Sequence, residues 1–320
     1  MDRGSEGSFI DVLLTLMWST IGTALIPALI PWIIYVICNR TEVGKMKGMV
    51  VMITGSSSGL GEQLAHSFYK RGCKLILAAR RVTELERVKN DLLDLVVEDV
   101  STYEPVIVEL DLADIKSIPR KVNNLLNTYG HIDYLINNGG ISYRGKITET
   151  TVDVDQTVML INYFGTVTLT KAVLPSMIEQ RRGHIVAISS VQGRIAIPHR
   201  SAYSASKHAL QAFMDCLRAE VSKDGINVTV INPGYIKTNL SVNAVTGSGN
   251  KYGVMDETTS RGYEASEAAE KIYYSIARED KELTLAPLLP RIAIILRSFC
   301  PSLYFLLMKR RAMKLPPVHT

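Results

Sequence analysis

Apolar residues along this chain gather in short runs rich in valine, isoleucine and leucine, separated by longer stretches whose apolar positions recur at helical spacing. Unbroken apolar runs suit strands covered on both faces, and the stretches between them suit amphipathic helices. The runs fall at residues 49–54, 74–79, 105–110, 132–136, 184–189 and 226–231, and a helix is predicted over 62–71. Strand and helix signals alternate in this way to about residue 235. That order predicts a single α/β domain with a doubly wound parallel sheet, spanning residues 48–282.

Two other apolar stretches break the pattern. Residues 12–38 contain no charged side chain and, as a helix, are long enough to cross a hydrocarbon core of roughly 30 Å. Residues 1–47 are therefore read as an N-terminal membrane helix with a basic linker. A cleaved signal is the competing reading, but the run exceeds the usual ~7–15 apolar residues of such a signal and lacks a basic start, with Asp2, Glu6 and Asp11 set against Arg3. Pro27 and Pro31 would kink the span or make it re-entrant. Arg40, Lys45 and Lys47 follow it, which places the larger domain on the cytosolic side of a single-pass topology. The second stretch, Leu283 to Met308 within the C-terminal segment 283–320, is interrupted by Arg291, Arg297 and three prolines and is followed at once by Lys309-Arg-Arg311. It reads either as a membrane-interfacial segment or as a cover over a cleft.

Composition adds little that contradicts this. The chain has 320 residues and a net charge of +5, part of which belongs to basic residues flanking apolar stretches, so no nucleic-acid partner is implied. Cys38, Cys73, Cys216 and Cys300 have neither metal nor disulfide spacing, and no metal is expected. The sequons at Asn39, Asn227 and Asn239 abut the membrane stretch, fall in a predicted strand and follow a Pro-Gly turn, so none marks a lumenal face.

The chemistry begins where the first strand runs into Gly55-Ser-Ser-Ser-Gly59-Leu-Gly61 and then a helix. Strand, glycine-rich turn and helix together form a dinucleotide fingerprint, with the pyrophosphate at the helix N-terminus. The second strand ends in Arg80-Arg81, where an enzyme for the unphosphorylated dinucleotide would carry an acid. Guanidinium groups suit a 2′-phosphate, so NADP(H) is the expected cofactor. Further along, Tyr203 and Lys207 lie four residues apart on a predicted helix, which would set an ammonium beside a phenol and lower its pKa. With fourteen tyrosines in the chain, about one such spacing is expected by chance; the glycine loop and Ser190 upstream give it weight.

These motifs, in this order, resemble the short-chain dehydrogenase/reductase family: Thr54-Gly55-x-x-x-Gly59-x-Gly61, Asp111, Asn137-Asn138-Gly139-Gly140, Asn162, Ser190, Tyr203-x-x-x-Lys207 and Pro233-Gly234. Within it the chain is most similar to the dehydrogenase/reductase member 7 and 7B group, through Ile141-Ser-Tyr-Arg-Gly, Thr151-Val-Asp-Val-Asp and Thr238-Asn-Leu-Ser-Val-Asn-Ala. Gly139 replaces the family's alanine, a loss of one methyl and of a little packing.

The resemblance implies a Rossmann fold and a hydride transfer between NADP(H) and a carbonyl or secondary alcohol. It implies Tyr203 as proton donor, Ser190 as its partner on the substrate oxygen, Lys207 as the cation at the tyrosine and the ribose, and Asn162 as the residue that positions a relay water. The cofactor would be held by Gly55, Ser57, Ser58, Gly59, Leu60, Gly61, Arg80, Arg81, Asp111, Leu112, Asn138, Gly139, Gly140, Tyr203, Lys207, Pro233, Gly234, Ile236 and Thr238. Ser189 lacks the family's spacing to Tyr203, and Asn162 has the alternative of merely capping or kinking a helix. His208, Asp215 and Glu220 read as structural or solvated. Residues 238–262 read as a mobile lid over the substrate, with Tyr252 and Met255 in it.

The expected substrate is lipophilic: an acyl- or alkyl-dihydroxyacetone phosphate by resemblance to member 7B, or a steroid or retinoid by wider resemblance. A membrane of the endoplasmic reticulum or peroxisome and a homodimer are further expectations. Two rival readings remain: a membrane-tethered NADPH-binding adaptor whose catalysis is dispensable, and a hydrolase using Ser190 with Lys207 as base.

Overall fold

The computed structural model describes Leu29 and residues 46–98 and 100–314. The membrane helix expected over 12–38 therefore lies outside the described residues, Leu29 apart. Gly44–Thr320 is one compact unit, so the described part of the C-terminal segment belongs to it.

The seven principal strands are β1 Val50–Thr54, β2 Lys74–Ala79, β3 Val106–Glu109, β4 Tyr134–Asn137, β5 Gly183–Ile188, β6 Ile226–Pro233 and β7 Glu282–Leu285. They form one sheet in the order β7-β6-β5-β4-β1-β2-β3, and every pairing is parallel. The register is set by burial: in β1, Val50 and Met52 enter one core layer while Val51 and Ile53 enter the other. A slip of one residue would exchange the two sets, and both layers are filled.

Helices α1 Gly59–Tyr69, α2 Val82–Leu93 and α7 Ala265–Ala277 cover one face, burying Leu64, Phe68, Leu85, Val88, Ile272 and Ile276. The other face is covered by α3 Ile118–Tyr129, α5 Thr166–Gln180 and α6 Ser201–Glu220, through Val122, Leu169, Val173, Leu210 and Met214. Helix α4, Val152–Met159, leads into α5 through a π turn at Leu160–Gly165. Residues 152–180 are long and apolar enough to cross a membrane. Val154, Val158, Leu169, Val173 and Met177 are buried in the domain's own core, which accounts for that composition.

Strand order reverses between β1 and β4, and a crevice opens there at the carboxyl ends. Two features differ from the sequence reading. Strand β7 begins with a glutamate and alternates, giving no apolar run, and it joins the sheet by pairing Leu283 with Ile231. Of the three C-terminal prolines, two do not break a helix, since Pro287 precedes α8 Leu288–Phe299 and Pro290 lies in its first turn. The third does mark an interruption, with Cys300 non-helical and Pro301 opening α9 Pro301–Lys314. The first helical turn has no intrahelical acceptor for its N–H groups, so proline fits there without loss.

Candidate active site

The crevice is built first from backbone. Gly55 and Gly59 take φ of +66° and +61°, in the left-handed region. A side chain at Gly55 would meet Gly139 Cα at 2.8 Å, and one at Gly61 would run into the Gly55 carbonyl oxygen. The loop can therefore close on itself only with glycine at these positions. Thr54 Oγ1 accepts hydrogen bonds from the amides of Asn138 (3.0 Å) and Gly139 (2.9 Å), while Asn138 Nδ2 donates to Thr54 O (2.9 Å). The ends of β1 and β4 are thus fixed to each other. No side chain caps the start of α1, so its first N–H groups face the crevice as an anion site.

At the far end Arg81 donates to Ser57 Oγ (3.0 Å) and Ser58 Oγ (2.8 Å), and the exposed Arg80 lines the same cleft. Asp111 caps its own turn by accepting from Ala113 N. Gly139 has a physical partner that the sequence did not reveal. A methyl there would sit 2.8 Å from Leu112 Cδ1, so the leucine already fills the space that alanine would take. Packing is exchanged rather than lost.

The side chains expected to carry the chemistry come from three places in the fold. Ser190 lies two residues past the end of β5, at the start of a 3-10 turn; its Oγ accepts from Gln192 N (3.1 Å), lies 3.4 Å from Pro233 O, and shares a hydrogen bond with the Tyr203 side chain. Ser189 turns away, toward Lys207 O. Tyr203 and Lys207 lie on α6, both buried. The lysine does not meet the phenol as the spacing suggested. Its Nζ donates to Ile188 O at 2.8 Å and stands 5.8 Å from the tyrosine ring centroid. Burial lowers the Lys207 pKa to about 8. Burial also raises that of Tyr203, and the groups that pull it back are Ser190, Arg144 and Arg200 rather than Lys207.

Asn162 occupies the π turn with its amide fully used: Oδ1 accepts from Ile141 N (2.8 Å) and Nδ2 donates to Ile141 O (2.9 Å) and Ser206 Oγ (3.0 Å). It ties the segment following Gly140 to α6. His208 Nδ1 bonds Ser204 O, and Asp215 pairs with Arg218, so both serve α6 itself.

One cleft of about 700 Å³ gathers these parts. Every residue assigned above to the cofactor lines it, with Ser190 as well; Asn162 does not. Its volume, its glycine cradle and its paired arginines fit a phosphorylated dinucleotide.

Sequence reasoning missed a buried ion cluster beside Tyr203. Arg144 donates from Nε (2.8 Å) and Nη2 (2.6 Å) to Asp256 Oδ2, and Arg200 Nη2 (3.3 Å) and Ser241 Oγ (2.7 Å) reach the same oxygen. Burial would raise the Asp256 pKa, but Arg144, Ser241 and Arg200 together hold it below the ordinary carboxylate value. Arg200 is pulled down to about 10 by burial and by Arg144, and its Nε has no hydrogen-bond partner. The three charges lie 56 and 112 residues apart, so no motif announces them.

The cluster also changes the picture of residues 238–262. Ser241 and Asp256 fasten that segment to Arg144, and Val245–Thr246 pairs with Tyr143–Arg144. Thr238, Asn239, Leu240 and Asn243 reach the cleft, whereas Tyr252 and Met255 do not line it. The segment expected as a lid is thus tethered at Ser241, Asp256 and Val245–Thr246.

Comparison with known proteins follows the same lines. A family model described as short chain dehydrogenase matches residues 49–248. A protein of Anopheles gambiae named Dehydrogenase/reductase SDR family protein 7-like is 54% identical over 305 residues, covering 94% of this chain and 96% of that one. Dehydrogenase/reductase SDR family member 7B of Rattus norvegicus is 51% identical over 269 residues, 84% of this chain and 83% of its own. Among solved structures, a short-chain dehydrogenase from Streptomyces avermitilis superposes with a TM-score of 0.70 at 27% identity, covering 84% of this chain and 98% of that one. One from Burkholderia cenocepacia, in complex with NADP, gives 0.65 at 24% identity, covering 84% and 99%.

Proposed function

The chain belongs to the short-chain dehydrogenase family, and from that premise we propose that it is a membrane-associated oxidoreductase working between NADP(H) and a carbonyl or secondary alcohol of a lipophilic molecule. The observation that carries this reading is the placement of the Ser190 and Tyr203 hydroxyls in the same cleft as the glycine loop and the Arg80-Arg81 pair. When bound, the nicotinamide supplies or accepts the hydride. The Gly55 to Gly61 loop and the start of α1 would hold its pyrophosphate, and Arg80 and Arg81 the 2′-phosphate.

The chain's own residues handle the oxygen and its proton. Ser190 and Tyr203 donate hydrogen bonds to the substrate oxygen, and Tyr203 gives up its proton as the alcohol forms. A phenol whose pKa is raised by burial stays protonated at neutral pH, which favours reduction over oxidation there. Lys207, charged below about pH 8, offers a cation and N–H donors at the floor of the cleft. Asn162 holds the segment at Ile141 to α6.

Arg144 and Arg200 are balanced by Asp256 alone within their cluster, leaving a positive field at Tyr203. That field supports a ketone bearing a phosphate, such as an acyl- or alkyl-dihydroxyacetone phosphate, ahead of a steroid or retinoid. In the same reading residues 12–38 anchor the chain in the endoplasmic reticulum or peroxisome with this domain in the cytosol, and the protein is a homodimer. A hydrolase receives no support, because Lys207 Nζ is bonded to Ile188 O and Ser190 Oγ has no base on it.

The test is NADPH oxidation by the detergent-solubilised full chain with phospholipid-like, steroid and retinoid ketones. Turnover of a phosphate-bearing ketone is expected, with Tyr203→Phe slowing it about 10³-fold and leaving NADPH binding intact. Full turnover by Tyr203→Phe would overturn the mechanism. A cellular phenotype that survives the loss of turnover would favour the adaptor.

A further inference from the structure

Helices α8 and α9 contribute almost nothing to the core. No residue of α8 is buried, and in α9 only Tyr304 is. They are nonetheless strongly apolar. Of the twenty-three large hydrophobic side chains exposed among the described residues, ten lie between Leu288 and Met313. On α8 they form one stripe at spacings of four, three and four: Leu288 (70% exposed), Ile292 (45%), Ile295 (58%) and Phe299 (85%). A concentration of this kind marks a surface with a partner.

Charge selects the partner. Arg291, Arg297, Lys309, Arg310, Arg311 and Lys314 lie on the two helices, and residues 283–314 contain no aspartate or glutamate. A two-fold interface with a second copy would set this patch against itself, cation against cation. An anionic lipid surface accepts both the apolar stripe and the basic end. We infer that α8 and α9 form a second membrane contact, lying in the headgroup region of an anionic leaflet beside the mouth of the active-site cleft.

The position beside the mouth follows from how the pair is fastened. Tyr304 OH donates to Ala196 O at 2.5 Å, in the loop between Ser190 and Tyr203. Arg291 donates to Thr284 O and Ala286 O, and Gly234 N to Leu285 O at 2.8 Å, so the same pair is bound to the Pro233-Gly234 wall of the cleft. Lipid engaged by the helices would stand next to the site where a lipophilic ketone must enter. The inference deepens the membrane-associated reading of this site and rests on it only for the presence of a bilayer.

The experiment keeps the full chain and asks where it meets lipid. Single-cysteine variants carry an environment-sensitive fluorophore at Phe299→Cys or at native Cys216, which is exposed on α6. They are reconstituted into vesicles of phosphatidylcholine with or without phosphatidylserine and lipid-borne nitroxide quenchers. Quenching is expected at position 299 and not at 216, stronger with phosphatidylserine, and insensitive to it once Lys309, Arg310, Arg311 and Lys314 are changed to glutamine. Circular dichroism of that variant should match the parent.

Equal, weak quenching at both positions in chains that remain vesicle-bound would overturn the inference and leave N-terminal anchoring intact. Protection at 299 that grows with protein concentration would identify a second copy as the occupant. Protection independent of both lipid and concentration would identify another segment of the chain. Failure of the chain to associate with vesicles would remove this inference and the membrane-associated reading together.

Discussion

The two ends of the site are built by different means. At the cofactor end every defining contact involves the backbone, through close approaches that require glycine at Gly55 and Gly61 and through the Thr54–Asn138 bridge of side chain to main chain. In the cluster beside Tyr203 they are between charged side chains from three distant segments meeting on one oxygen of Asp256, none of which lines the cleft itself. Backbone packing tolerates few sequences and so writes a motif. A charge cluster needs only a net balance and leaves none. The glycine loop is therefore the part easiest to recognise, and the charge cluster is the hardest.

The largest effect should come from breaking the cluster. Asp256→Asn leaves Arg144 and Arg200 buried without a counter-charge, and a loss on the order of 3 kcal/mol is expected in thermal unfolding of the detergent-solubilised chain. KM for the ketone should rise while NADPH affinity holds; an equal loss of both would show that the two ends are not separate. Because the Asp256 pKa is depressed in the folded state, its contribution is fully present above the unfolded value of 3.8 and is lost as pH falls through the folded one.

At the opposite end, replacing Arg80 by Asp and Arg81 by Ser should weaken NADPH binding by roughly 10- to 100-fold, the worth of a charged hydrogen bond or two. NADH should gain, with turnover at saturating cofactor little changed. Unchanged KM values for both dinucleotides would remove the assignment.

Lys207 lies between the two ends and tests whether burial or contact governs it. It titrates near pH 8 when folded, against 10.5 in the unfolded chain. Between these values the unfolded chain binds more protons, so the protein gains stability as pH rises through that window. Lys207→Met should abolish turnover yet raise stability below pH 8 by on the order of 1 kcal/mol, the lost bond to Ile188 offsetting part of the gain. That advantage should shrink toward pH 10.5; a pH-independent difference would mean that desolvation is not the cause.

The smallest change expected is Gly139→Ala. Leu112 must turn aside to admit the methyl, at a cost of under about 1 kcal/mol, and kcat/KM for both substrates should hardly move.

The sheet was legible because β1, β2, β5 and β6 are buried on both faces and so carry unbroken apolar runs. Strand β7 was not, since its glutamate is spent on Arg194 and Asn232 at the sheet edge. In the site, Ser190, Tyr203 and Lys207 could be found by spacing, but the bond partner of Lys207 could not. It is a backbone carbonyl, and a main-chain group has no sequence signature. The tether of the 238–262 segment was not legible, because glycine, serine and asparagine report local freedom, whereas the ion pair that fastens it lies 112 residues away.

The contact between Gly139 and Leu112 has a consequence for how this cleft can change over generations. The two positions share one volume, so neither can be enlarged without the other giving way. Alanine at position 139 costs least after residue 112 has become smaller, and a larger residue at 112 would shut that route. The order in which mutations arrive, and not only their identity, decides which variants of this loop can be reached.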